Sequence, residues 1–208
     1  DATPGSSIDD PERPSIPDEG DKEEPKPDED ENVTGTLAFE DIWPSGGDYD
    51  MNDVIVEYER KVYFDKKNIV TKIVDEFTPV HDGATYVNAF AYQIDAAQIG
   101  DKITLPEGAI LEKETSSIIV MSNAKQNIGN KYVVTREFNG SFLKNQLLSY
   151  NPYIIVKYSQ GEQNRTEVHL PKHKATAYAN QSLIGSNDDA YYIDRKGAYP
   201  FAIDIPML

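Results

Sequence analysis

The chain has no cysteine, a single tryptophan, three methionines and three histidines among its 208 residues. Without cysteine there can be no disulfide, no thiolate metal ligand and no cysteine nucleophile. No apolar run approaches the ~18 residues that cross a bilayer as a helix. No G-x-S-x-G, no H-E-x-x-H and no phosphate-cradling glycine loop occurs, so the commonest signatures of serine hydrolases, zinc peptidases and nucleotide sites are missing. Positive charge is scarce as well. Twenty Lys and Arg face 36 Asp and Glu, a net charge of −16, and no basic stripe carries interleaved aromatics, which argues against nucleic acid as a partner. His169 and His173 stand four apart, but Pro171 lies between them and their flanks read as strand, so they cannot face one metal as a helical pair would. Together with His81 they are read as surface or turn histidines. No signal peptide opens the chain, which either never had one or begins after its removal.

The charge that is present is unevenly placed. Residues 1–32 hold 13 acidic and 3 basic residues and six of the 13 prolines, so they carry −10 of the net charge. Such a segment buries too little apolar surface to offset its ordering entropy and is expected to be a disordered, extended tether. The domains read from this are an acidic Pro-rich tether over 1–34 and a folded domain over 35–208, long enough for one proper core. A cysteine-free exported protein of this kind can draw rigidity from Ca2+ in place of disulfides.

Within the folded part the patterns are those of strands. Val54–Phe64 is rich in β-branched and aromatic residues with a charged middle, and Ile69–Val80 returns from a turn at Asp65–Asn68. Shorter strands are read at Thr36–Phe39, Thr85–Ile94, Ile103–Leu105, Ile110–Leu111, Ser117–Met121, Tyr132–Arg136, Tyr153–Tyr158, Thr166–Leu170 and Tyr199–Ile205. Ser141–Ser149 reads as a short helix or a loop, and residues 171–198 are polar and irregular. Helical periodicity is nearly absent. The expectation is all-β: an antiparallel, jelly-roll-like β-sandwich with long irregular loops.

One stretch carries chemistry. Gly47-Asp48-Tyr49-Asp50-Met51-Asn52-Asp53 packs three aspartates and an asparagine into six positions, with Glu40 and Asp41 just upstream. Like charges at this density repel, and a fold tolerates them best around a cation. Oxygen-only donors at alternate positions suit a hard cation such as Ca2+. The D-x-D-x-N spacing matches the first half of an EF-hand loop, but Asp53 stands where that loop needs glycine, and Glu59 is carried off along a strand. The cage therefore needs other donors, such as Glu40, Asp41, backbone carbonyls or water. Asp188 and Asp189, in the irregular 171–198 region, are the candidates from elsewhere in the chain. Acids crowded into one loop do not resemble the separated pair of a glycosidase, so the chain is expected not to be an enzyme.

The run from Leu37 to Val56, with Phe39-Glu40-Asp41-Ile42-Trp43-Pro44 followed by Gly47-Asp48-Tyr49-Asp50-Met51-Asn52-Asp53-Val54, resembles the opening hallmark of the LruC domain family. Glu167-Val168-His169-Leu170-Pro171 resembles a second landmark of that family, and Phe201-Ala202-Ile203-Asp204-Ile205-Pro206 a third, with Phe201 where tryptophan is usual. The resemblance implies an envelope protein of Gram-negative bacteria, secreted or lipid-anchored, without an established enzymatic activity. It also implies more aromatic sequence beyond Leu208. The tether fits a lipoprotein whose lipidated cysteine would stand just before Asp1. Carried over by residue, the resemblance implies a cation cluster of Glu40, Asp41, Asp48, Asp50, Asn52 and Asp53.

The expected function is a Ca2+-binding surface protein with a binding or adhesion role towards an unknown extracellular ligand, glycan or protein, in contact with the membrane only through an N-terminal lipid anchor. The alternatives are a glycan-binding accessory protein using aromatics such as Tyr178, Tyr191, Tyr192 and Tyr199, a subunit of an extracellular assembly using a free sheet edge, and, last, a hydrolase. Trp43-Pro44 is read as packing beneath the acidic loop.

Overall fold

Side chains that alternate in a strand must find a layer on each face, and this sequence supplies two sheets to do it. The computed structural model describes residues 29–140 and 142–207. Its strands are β1 (Glu29–Phe39), β2 (Val54–Phe64), β3 (Val70–His81), β4 (Ala89–Gln93), β5 (Lys102–Thr104), β6 (Ile110–Glu112), β7 (Ser117–Met121), β8 (Tyr132–Glu137), β9 (Asn151–Val156), β10 (Thr166–His169) and β11 (Ala202–Met207). They form a six-stranded sheet ordered β11-β1-β2-β3-β8-β5 and a five-stranded sheet ordered β10-β9-β4-β7-β6. The strand pairs are antiparallel throughout, as an all-β sandwich requires.

The core lies between the sheets. Leu37, Phe39, Val54, Val56 and Phe77 of the larger sheet meet Phe90, Tyr92, Ile118, Val120 and Ile154 of the smaller one. The alternate residues of the smaller sheet, Ala89, Ala91, Ile119, Tyr153 and Ile155, are buried on its other face. A third cluster of Val62, Phe64, Val70, Ile73 and Phe138 closes the far end of the β2–β3 hairpin.

One sequence expectation changes. β1 begins at Glu29, six residues before the domain boundary read at 35, and residues 1–28 of the tether read over 1–34 lie outside the described residues. The reason is the partner strand. Glu29–Thr34 pairs residue by residue with Glu59–Phe64 of the long β2, whose backbone groups would otherwise be open. Side-chain contacts follow, including Asn32 Nδ2 to Glu59 at 2.8 Å and Lys144 Nζ to Glu31 at 3.0 Å. Composition alone could not reveal a partner. Residues 142–149 hold only a single 3-10 turn at Lys144–Gln146, where a short helix or a loop was expected.

A band of charge crosses the inner face of the larger sheet. Arg60 and Asp75 are cross-strand neighbours on β2 and β3, and Arg136 of β8 is fully buried beside them. Of the charged middle of Val54–Phe64, Arg60 alone turns inward, while Glu57, Glu59 and Lys61 lie on the outer face.

Candidate cation site

The loop between β1 and β2 begins where Glu40 leaves the sheet. Its amide still donates to Phe201 O at 2.9 Å, and its side chain is buried, 1 % exposed. Trp43 packs beneath the loop, its ring centroid 4.7 Å from that of Tyr192, and its indole N–H donates to Asp189 Oδ1 at 2.8 Å. Beyond Trp43 the chain doubles back over Glu40. A Cβ at Gly47 would stand 2.6 Å from Ile42 Cδ1 and 3.2 Å from Glu40 Oε2, so a larger residue there would have to displace the Ile42 side chain. Tyr49 and Met51 both adopt φ 56°, the left-handed region that costs a non-glycine residue about 1–2 kcal/mol. Met51 N donates to Glu40 Oε1 at 2.6 Å and pins this conformation.

The result is convergence. One carboxylate oxygen from each of Glu40, Asp48 and Asp50 lies within 4.8 Å of the others. Asp48 and Asp50 are exposed and Glu40 is buried, so the group has a floor and an open side. Among the described residues no ion pair reaches these three acids. Asn52 Nδ2 donates to Asp50 Oδ2, which aims that carboxylate.

The other acids expected in the cage are placed differently. Asp53 is engaged at the loop base, where its Oδ2 accepts from Asp41 N at 2.8 Å, and Asp41 Oδ2 accepts from Asn88 Nδ2 at 2.8 Å. Asp188 does touch the loop, but through the backbone: its Oδ2 accepts from Gly46 N at 3.1 Å while its Oδ1 pairs with Lys196 at 2.7 Å. Asp189 is fully buried and its oxygens take N–H donors from Trp43, Tyr192 and Gly185. Both residues of that pair therefore brace the loop through N–H donors and stand apart from the converging group.

Electrostatics follow from burial. Loss of solvent pushes the Glu40 carboxyl up from 4.5 to about 7; the Met51 hydrogen bond opposes this, and the charges of Asp53, Asp48 and Asp50 add to it. Burial raises Asp53 also, with the Asp41 charge beside it. A raised carboxyl means that the folded protein binds more protons than the unfolded chain between the two values. Stability without a cation must then fall as pH rises from about 4.5 to about 7. In EDTA the melting temperature should decline across that window, and Glu40→Gln, which keeps the acceptor for Met51, should flatten the decline. An unchanged slope in Glu40→Gln would remove Glu40 as its source.

Elsewhere the structure shows what the sequence hid. His169, read as a surface or turn histidine, is fully buried, stacked on Tyr153 at 4.4 Å and bonded to Glu167 at 2.9 Å and Asn151 at 2.7 Å. The i, i+2 spacing of Glu167 and His169 was the available signal, since it puts both on one strand face. Of the aromatics considered as a platform, Tyr192 is core, Tyr178 lies 5.6 Å from the Arg165 guanidinium, and Tyr199 stacks on Tyr49 at 5.2 Å.

A family model described as a domain of unknown function (DUF4842) matches residues 68–207. Among solved structures, the fold is similar to the crystal structure of a protein described as a candidate lipoprotein from Bacteroides ovatus, with a TM-score of 0.60 and 17% sequence identity. That match covers 85% of this chain and 65% of the other. No curated protein matches.

Proposed function

Because this chain belongs to the DUF4842 family, whose function is unknown, we propose a role from its own residues: a Ca2+-binding β-sandwich protein of the cell envelope that binds an extracellular ligand and catalyses no reaction. The observation that carries the cation is the convergence of Glu40, Asp48 and Asp50 oxygens within 4.8 Å. Hard oxygen donors with one open side suit Ca2+, which completes its shell with water and carbonyls. Its role is structural: neutralising the loop lets a buried Glu40 stay ionised and fixes the crossing from β1 to β2. The resemblance of residues 37–56 to the LruC hallmark supports the same assignment and an envelope location in a Gram-negative bacterium. The candidate lipoprotein of similar fold and the acidic residues 1–28 support a lipid anchor on a tether.

A second reading, glycan binding, is favoured by one feature. A cleft of about 370 Å³ opens between the sheets, lined by Tyr58, Arg60, Tyr92, Tyr150 and His173 among others. Aromatic faces beside hydrogen-bonding groups are what a sugar uses. Asp75, the buried acid of that cleft, is neutralised by Arg60 and Arg136, which fits binding better than acid catalysis.

The test is a thermal melt in EDTA against millimolar Ca2+, with Mg2+ as control. At a Ca2+ concentration 100 times Kd the native state gains about 2.7 kcal/mol, a rise of roughly 5–10 °C for a chain of this size. Asp48→Ala with Asp50→Ala should remove the loop's share of that rise and leave the EDTA melt nearly unchanged. A wild-type melt indifferent to Ca2+ would end the proposal.

A further inference from the structure

Two backbone carbonyls fix which way the side-chain amides beside His169 face. A carbonyl only accepts, so Gln93 turns its Nε2 to Thr115 O at 2.9 Å, and Asn151 turns its Nδ2 to Lys174 O at 2.8 Å. Asn151 Nδ2 also donates to Gln93 Oε1 at 3.0 Å. Asn151 Oδ1 is thereby left facing His169 Nδ1 at 2.7 Å. The other ring nitrogen, Nε2, stands 2.9 Å from Glu167 Oε2. An imidazole held between two acceptors needs a proton on each nitrogen, and only the imidazolium has both.

The charges around the ring agree. Besides the ring, Glu167 takes Arg165 Nε at 2.7 Å, Thr176 Oγ1 at 2.7 Å and Thr176 N at 2.9 Å, the donor set of an ionised carboxylate. Arg165 pairs with Glu112 on its other side. With a neutral His169, the group of Arg165, Glu112 and Glu167 keeps one net negative charge in the interior. With an imidazolium it holds two charges of each sign. Each element packed on the ring can be named. β9 supplies Asn151 and Tyr153, whose ring lies nearly parallel at 17° and presents its face to a cation. β10 supplies Glu167, the turn after it His173, and the 171–198 segment Tyr192, at 5.3 Å. Burial opposes the second proton, as do the charges of Arg165 and of a protonated His173, whereas Glu167 favours it. The two acceptors decide for the charged ring, because a bare nitrogen facing a carboxylate in a dry interior leaves both without a donor.

We propose that His169 is a buried imidazolium whose second proton fastens the 171–198 segment to the smaller sheet. Glu167 and Asn151, the two groups that the charged ring aligns, are also the ones that hold Thr176 and Lys174 of that segment. Without the proton, Nε2 and Oε2 would meet as two acceptors, and the hold on Thr176 would weaken. The same segment carries Asp188 and Asp189, which brace the 40–53 loop, so the clamp stands behind that brace whether or not the loop takes Ca2+. A proton bound more tightly by the fold than by the unfolded chain gives stability that is complete below about pH 6.5 and is lost as pH rises through the folded value.

The experiment is a proton–nitrogen correlation spectrum of the imidazole rings, taken on the full 208-residue chain in EDTA at about pH 7.5, where an ordinary imidazole is about nine-tenths neutral. Through-bond connection to the backbone identifies the His169 ring, so the decisive spectrum needs no variant. Protons on both ring nitrogens are expected in wild type. In Glu167→Gln the new amide can donate to Nε2, and the ring should be neutral at the same pH. Raising the pH of wild type through the ring's titration should then loosen the Thr176 amide. Its protection from hydrogen exchange should fall about tenfold for each pH unit that separates the folded value from 6.5, beyond the base-catalysed change read on His169→Gln. One unprotonated ring nitrogen in wild type at pH 7.5 overturns the proposal. So does a ring still charged in Glu167→Gln, or a Thr176 amide whose protection ignores the titration of the ring.

Discussion

Asp75→Ala is expected to cost on the order of 3–5 kcal/mol, because it strands a buried arginine. Asp75 is 1 % exposed, and four donors converge on it: Tyr150 Oη at 2.8 Å, Tyr92 Oη and Arg60 Nε at 3.3 Å, and Arg136 Nη2 at 3.5 Å. Arg136 is completely buried and also donates to Gln98 O at 2.7 Å and to the Tyr150 hydroxyl. Burial, with the Asp75 charge next in order, pushes both phenols well above their ordinary value, which keeps them protonated and donating. Removing the carboxylate leaves the buried Arg136 cation and two hydroxyls without their shared acceptor. A urea melt should show the loss directly. Replacing both charges at once, Asp75→Leu with Arg136→Met, should recover a large part of it, since apolar groups of similar volume often match a buried pair. A cost under about 1 kcal/mol for Asp75→Ala would show that water already compensates the site.

Glu167→Ala should be comparably severe, on the order of 3–5 kcal/mol. Glu167 is fully buried and accepts from Arg165 Nε at 2.7 Å, Thr176 Oγ1 at 2.7 Å, Thr176 N at 2.9 Å and the His169 ring at 2.9 Å. Arg165 in turn grips Glu112 with both terminal nitrogens, at 2.7 and 2.8 Å. This network seals the outer face of the smaller sheet and ties the start of the 171–198 segment to it. Burial pulls the Glu167 carboxyl upward, but the hydrogen bonds from His169 and Thr176 and the nearby positive charge outweigh it and hold the carboxyl below 4.5. A depressed carboxyl contributes stability that is full above the unfolded value and is lost as pH falls through the folded one. Wild type should therefore lose stability on acidification below about 4.5, and Glu167→Gln should lose part of that acid dependence along with its stability. An acid limb identical in Glu167→Gln would mean that other carboxylates carry it.

The two networks are opposite in sign to the loop. Asp75 and Glu167 are acids with cations built beside them. Glu40, Asp48 and Asp50 have none among the described residues. A sequence with 36 acids could have paired them all loosely at its surface. One acidic group left without a basic partner is the feature on which the Ca2+ proposal rests.

Much of the strand content was legible because β-branched and aromatic residues alternate over windows bounded by turn residues. β2 and β7 run from Val54 to Phe64 and from Ser117 to Met121, the very spans that pattern marked. The D-x-D-x-N spacing marked the loop for the same kind of reason: local chemistry at fixed intervals. Glu29–Thr34 was not legible, since its strand exists through pairing with β2 and not through its own composition.

The sequence by itself determined the all-β class, the hairpin of β2 and β3, and the crowding of oxygen donors between residues 40 and 53, because each depends on neighbours along the chain. Only the tertiary structure decided which acids converge, that Asp188 and Asp189 brace the loop through N–H donors, and that His169 is buried. Several of those outcomes depend on partners distant in sequence, such as Trp43 with Asp189 and Gly46 with Asp188, and the cost of an unpaired buried charge is set by whatever folding brings next to it.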